Sequence, residues 1–188
     1  MKNIIVVFVL LFTIALTAQD DSYKPERTKI NNLVHTKLKV DFNFEKSQLN
    51  GEAWITLSPH FYEANKVVLD AKSFEVIEVQ LNNSNTTYNY SNDKLTIELD
   101  KYYIRGEEFT VYIKYIAKPE EVKQKGSAVI TGAKGLYFID PLEEDPNKPT
   151  QVWTQGETEA SSCWFPTIDA PTQKTTQEIY ITVPNKYV

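Results

Sequence analysis

From Leu33 onward the apolar side chains recur at every second position, and after residue 18 no ten-residue stretch carries a helical period. Alternation of that kind buries one face of a strand and leaves the other in water, so the chain is committed to sheets. Val34, Leu38, Val40, Phe42 and Phe44 form the first run, and Lys46-Ser47-Gln48 turns it into Leu49, Ala53, Ile55 and Leu57. The two runs read as one long antiparallel hairpin. Residues 66–70, 74–81, 88–90, 94–99 and 109–116 continue the pattern, with Asn82-Asn83-Ser84-Asn85 and Ser91-Asn92-Asp93 as turns. Residues 135–140 and 151–154 are shorter strands flanking an acidic, proline-rich excursion over 141–149. Residues 177–183 are a last alternating strand, with Ile179, Ile181 and Val183 on one face. Pro184-Asn185 then reads as a turn for which a further strand is expected, so the chain is expected to continue beyond Val188. The spacing predicts an all-β fold, either an antiparallel β-sandwich or a curved, saddle-shaped sheet.

Residues 1–18 have the form of a signal peptide: Lys2, an apolar run from Ile4 to Leu16, and a small-residue site at Leu16-Thr17-Ala18. The apolar run is about thirteen residues, short for a hydrocarbon core of ~30 Å, so no stable membrane anchor is expected. The mature protein is therefore expected outside the cytoplasm, periplasmic or extracellular. Polar residues 19–32 read as a flexible arm, leaving 33–188 as one domain. A net charge of −5 and a pI near 5.2 argue against nucleic acid or an anionic membrane as partner. A single cysteine, Cys163, excludes an internal disulfide. It is either a nucleophile without a nearby histidine or, the plainer reading, a small buried apolar side chain.

Residues 154–171, TQGETEASSCWFPTIDAP, have neither period, although strands flank them on both sides. Such a segment is a loop kept for its side chains. Gln155 and Glu157 are two apart, so on an extended backbone they leave on one face, where an amide carbonyl and a carboxylate can seat an ammonium ion. Trp164, Phe165 and Pro166 offer an apolar anchor, and Asp169 before Ala170-Pro171 can bond its own backbone. Three other readings compete. Glu157 and Glu159 can be solvated loop acids, or a glycosidase pair, which needs a separation of roughly 5 to 10 Å across a cleft. Trp153, Trp164 and Tyr137 can be the aromatic platform of a free-standing β-sandwich module for carbohydrate or protein ligands. His60 with Glu63 has the spacing of half a metal site, but His35, the other histidine, is far away in sequence.

The run LVHTKLKVDFNFEKSQLNGEAWITL resembles the opening hairpin of the aminopeptidase N family, peptidase family M1. TQGETEASSCWFPTIDAP is similar to that family's Thr-Gln-x-Glu followed by Phe-Pro-Cys-x-Asp-x-Pro, with GLYF before it and ITVPNKY after it in the family's order. Thr167 stands where the family usually has cysteine, and the usual arginine is missing from the intervening segment. The resemblance implies a β-saddle N-terminal domain ahead of a catalytic domain whose His-Glu-x-x-His motif binds zinc. It makes Glu157 the anchor for the substrate's free α-amino group, Gln155 part of the first side-chain pocket, and Asp169 and Pro171 loop supports. The zinc ligands are absent from this chain, so it is expected to bind no zinc and to be inactive alone. Its implied partners are a peptide N-terminus and the missing catalytic domain.

Overall fold

The computed structural model describes residues 27–123 and 133–187. The expected signal peptide lies outside these residues, as does most of the expected arm. β1 (Asn31–Asn43), β2 (Gln48–Pro59), β3 (Ala64–Asp70), β4 (Phe74–Leu81), β5 (Ser84–Asn85) and β6 (Tyr88–Ser91) come first. They are followed by β7 (Lys94–Tyr103), β8 (Phe109–Ala117), β9 (Leu136–Ile139), β10 (Gln151–Thr154) and β11 (Thr176–Thr182). A six-stranded sheet runs β11-β1-β2-β8-β4-β5, a three-stranded sheet β3-β7-β6, and β9 and β10 form a separate hairpin. The fold is all-β, as the alternation predicts.

The core follows from the period. In β8 every second residue, Phe109, Val111, Ile113, Tyr115 and Ala117, is buried, and β2 answers with Leu49, Ala53, Ile55 and Leu57. Val67 and Leu69 of β3 and Leu95 and Ile97 of β7 join the same cluster, so the six-stranded and three-stranded sheets share one core. Asn92 and Asp93, both at positive φ, turn β6 into β7 with the twist that a tight hairpin needs.

Three features depart from the plain alternation. A register shift between Leu33 and His35 resets the phase of β1, so Leu33 is buried where alternation back from Leu38 points to Val34. A second shift between Val76 and Glu78 turns Ile77 out to solvent. The third is β11, which pairs with β1 in parallel, where an antiparallel arrangement was expected. Its residues are exposed throughout, including Ile179 and Ile181. β1 also begins at Asn31, inside the segment read as a flexible arm, because Asn31 and Asn32 already pair with Pro59 and Ser58.

Gly51 of β2 lies opposite Tyr115 of β8, and the tyrosine ring fills the place where a Cβ would stand. That ring stacks on Phe74 with centroids 4.8 Å apart, and its hydroxyl donates to the Trp164 carbonyl at 3.1 Å. One missing side chain in β2 thus lets a buried tyrosine reach the loop that carries Trp164. Gly51→Ala is expected to displace this ring and to lower stability by about 1–3 kcal/mol. A urea titration followed by far-UV circular dichroism checks this, and an unchanged midpoint would contradict the packing.

Candidate functional site

The loop after β10 is positioned by β9 and by the end of β3. Thr154 pairs with Leu136, and the pairing carries one step further, where Gln155 N donates to Gly135 O at 3.0 Å. Gly135 has φ +72, and a Cβ there would overlap the Ala160 carbonyl, so the approach of loop to strand requires glycine. Beyond Gln155 the extended backbone ends. A turn closes with Ala160 N donating to Gly156 O at 2.9 Å, and a single 3₁₀ turn spans Ser161–Cys163.

The end of β3 grips the far side of the loop. Asp70 and Thr167 exchange backbone hydrogen bonds of 2.6 and 3.0 Å, and Lys72 N donates to Ser162 O at 2.8 Å. The Lys72 ammonium also donates to the Glu159 carbonyl. Asp70 is buried at 4% exposure. One of its carboxylate oxygens accepts from Arg27 Nη1 at 2.6 Å and from the Asp169 N–H at 2.9 Å, and the other accepts from Lys94. Burial alone would push the Asp70 pKa up. The Lys94 hydrogen bond, the Asp169 N–H and the nearby cationic charges outweigh it and hold the carboxyl below its ordinary value.

Each residue singled out in the sequence can now be placed. Glu157 and Glu159 are exposed in the turn, and both line an open cleft of about 570 Å³ together with Asp169, Ala170 and Pro171. Gln155 is half-buried on the last extended residue and does not line that cleft, so a shared face from backbone alternation does not carry to Glu157. Trp164 is half-buried, with its ring edge-on to buried Phe165 at 4.5 Å, and Pro166 is buried. The Asp169 carboxylate accepts from Ser162 N at 2.8 Å, which ties the two ends of the segment together. Pro171 is exposed on the cleft rim. Cys163 is fully buried, and burial pushes its thiol up to about 11. His35 bonds Thr176 Oγ1 at 2.7 Å across β1 and β11, while His60 packs its ring on Phe61. Asp70 was not singled out, although Asp70 closes the lysine-valine-valine-leucine run of β3. An ionisable residue at a buried strand end was the available signal.

The profile of the Peptidase M1 N-terminal domain matches residues 23–188. The chain belongs to this family. No curated protein sequence matches it. Among solved structures, its fold is similar to that of a two-domain M1 zinc metallopeptidase bound to L-arginine. There the TM-score is 0.66 and identity 17%, over 87% of this chain and 35% of the other. An M1 zinc metallopeptidase from Deinococcus radiodurans, bound to the substrate Tyr-Ser-Ala, gives 0.65 and 16%, over 86% of this chain and 34% of the other. Leukotriene A4 hydrolase from Saccharomyces cerevisiae gives 0.61 and 19%, over 89% and 26%. The chain thus spans about a third or less of these proteins, and at such identities the likeness is one of fold.

The first two of those structures are of zinc metallopeptidases, but among the described residues of this M1 domain no group of three or more His, Cys, Asp or Glu side chains is placed to hold a metal ion. The described residues therefore do not fit a zinc centre.

The M1 domain's loop clasp makes two measurable statements. Asp70 has a lower pKa folded than unfolded, so its contribution is complete above the unfolded value of about 3.9 and drains away as pH falls through the folded value. Asp70→Ala is expected to cost about 2 kcal/mol near neutral pH and to flatten the stability profile below about pH 4. Denaturation midpoints measured from pH 7 to 3 test both, and parallel profiles for the two proteins would contradict the assignment. Cys163 is expected to resist a thiol reagent at pH 8 until urea unfolds the chain; prompt labelling of the folded protein would mean that the loop opens.

Proposed function

We propose that this M1 domain is the amine-anchoring part of an exported zinc aminopeptidase. In this reading Glu157 receives the free α-amino group of a peptide, and Gln155 lines the pocket for the first side chain. The observation that carries it is the placement of Glu157: a solvent-facing carboxylate in a cleft walled by Glu159 and Asp169, on a loop fixed at both ends to the sheet. Three acids around one opening favour a cation, and an ammonium ion can donate to each acceptor it meets. The relatives add support. One is bound to L-arginine and another to Tyr-Ser-Ala, both molecules with a free α-amino group.

The chemistry available to these residues is positioning. Fixing the amine sets which peptide bond lies in reach of a catalytic centre, and holding it there contributes through orientation. An exposed ion pair contributes little until water is excluded. Glu157 therefore needs a covering surface to be effective, and a catalytic domain that carries the zinc ligands outside the described residues would supply it. Export rests on residues 1–18 alone: a lysine, an apolar run and a small-residue site.

A titration of the ¹⁵N-labelled chain with a short peptide and with its N-acetylated twin tests the anchor. The free-amine peptide is expected to shift backbone amides of residues 156–159, the acetylated one to leave them in place, and Glu157→Gln to abolish the response. Equal responses to both peptides would overturn the reading.

A further inference from the structure

The residues just before β1 are tied to two other parts of the chain. Arg27 Nη1 donates to Asp70 at 2.6 Å, Lys29 Nζ donates to the Thr172 carbonyl at 3.1 Å, and the Ile30 carbonyl accepts from His60 N at 2.8 Å. Residues 27–30 thus form a strap between β3 and the exit of the loop after β10. A cavity of about 260 Å³ is lined by this strap, by β3 and by the loop exit. It is distinct from the Glu157 cleft, with which it shares only Ala170.

One group in its wall is left unsatisfied. Asn31 is 3% exposed, and its side-chain Oδ1 is buried without a hydrogen-bond partner. The neighbouring backbone is accounted for, since Gln173 Nε2 donates to the Asn31 carbonyl at 2.9 Å and Gln173 Oε1 accepts from Leu33 N at 3.0 Å. A buried acceptor without a donor is costly, and an aliphatic side chain at this position would avoid the cost. An acceptor kept here points to a donor supplied from the cavity.

The rest of the lining limits what that donor belongs to. Ala64, Val68, Ile168 and Ala170 give the cavity an apolar body. Arg27, Lys29 and Lys66 bring three cations against one acid, Glu63. Arg27 and Lys29 are engaged by the contacts above, whereas Lys66 is exposed and two residues from Val68, on the same face of β3. The volume is several times the ~30 Å³ share of one water and below the roughly 300 Å³ at which pockets for drug-sized ligands begin.

We infer that this cavity is a second ligand site, for a small aliphatic carboxylate with a hydrogen-bond donor on the carbon next to the acid, as in a 2-hydroxy or 2-amino acid. Lys66 pairs with the carboxylate, the aliphatic chain lies on Val68 and Ile168, and the hydroxyl or amino group donates to Asn31 Oδ1 as the strap shifts to admit it. The site stands whether or not Glu157 anchors an amine. Because Ala170 belongs to both linings, an occupant here bears on the wall of the Glu157 cleft as well.

The test titrates the ¹⁵N-labelled chain with 2-hydroxy-4-methylpentanoate, L-leucine, 4-methylpentanoate and 2-hydroxy-4-methylpentanamide, reading the backbone amides of Asn31 and Val68. The hydroxy acid is expected to shift both amides. Removing its donor, as in 4-methylpentanoate, or its charge, as in the amide, is expected to weaken binding about fivefold. L-Leucine is expected to shift the same amides, and the tighter of the two acids names the source. Lys66→Gln changes an exposed residue and is expected to bring the acid and its amide to equal affinity; Asn31→Leu is expected to do the same for the hydroxy acid and 4-methylpentanoate. No response at Asn31 and Val68 to any probe overturns the site, as does equal binding of the hydroxy acid and 4-methylpentanoate by the unaltered chain. An acid-to-amide ratio that Lys66→Gln leaves unchanged overturns the placement of the carboxylate, and with it the orientation of the ligand.

Discussion

A carboxylate taken out of water at the end of β3 fixes the geometry of the loop after β10. Asp70 is almost fully buried, and a lone buried charge of that kind is expensive. Here it is met by Arg27, Lys94 and the Asp169 N–H, three donors from distant parts of the chain. Because one of the donors is the loop's own backbone, satisfying the charge and placing the loop are the same event. The backbone exchange between Asp70 and Thr167 adds direction, since paired hydrogen bonds fix the angle of approach as well as the distance. The depressed pKa of Asp70 keeps the group ionised across the neutral range, where the loop has to be in place.

Two close approaches let the rest of the sheet support this clasp. Gly51 makes room for Tyr115, whose hydroxyl ends on the Trp164 carbonyl, and Gly135 makes room for the Ala160 carbonyl against β9. The absent side chain belongs to a strand at Gly51 and to the residue just before β9 at Gly135, and the group that fills the space belongs to the loop or reaches it. Phe165 and Ile168 then enter the main core, so the segment between them is anchored by apolar burial as well as by hydrogen bonds. What stays outside is the short turn with Glu157 and Glu159, both exposed to solvent.

The sheets were legible in the sequence because period-two burial is a local signal. The runs that became β2, β7 and β8 alternate in sequence and in burial alike, β3 is a short continuous apolar run, and Asn92-Asp93 is a turn by composition alone. The shifts at Leu33/His35 and Val76/Glu78 were not legible, since an extra residue in a strand leaves no composition mark. Nor was the parallel pairing of β11 with β1, which joins segments about 140 residues apart in sequence, as the His35–Thr176 bond shows. In the loop, residue identity pointed to Glu157, but the backbone leaves extended geometry after Gln155. The side-by-side placement assumed from their spacing is therefore not supplied by the strand. The resemblance to the aminopeptidase N family carried what periodicity could not, and the match over residues 23–188 agrees with it.

Under the proposed reading of Glu157 as an amine anchor, the arrangement accounts for its place on a segment like this one rather than on a strand or a free loop. A carboxylate within a sheet face is fixed but flanked by neighbours that crowd a substrate, and one on a free loop pays back in lost motion what it gains in attraction. Glu157 stands between these cases: its backbone lies between Gln155, still paired to Gly135, and Ala160, bonded back to Gly156 and wedged beside β9. The turn is thus short and held on both sides, and the carboxylate it carries remains in water. Orientation is already spent before a ligand arrives, and only hydration remains to be removed. A surface that closes over the cleft would convert a weak exposed pair into a strong one without moving the sheet.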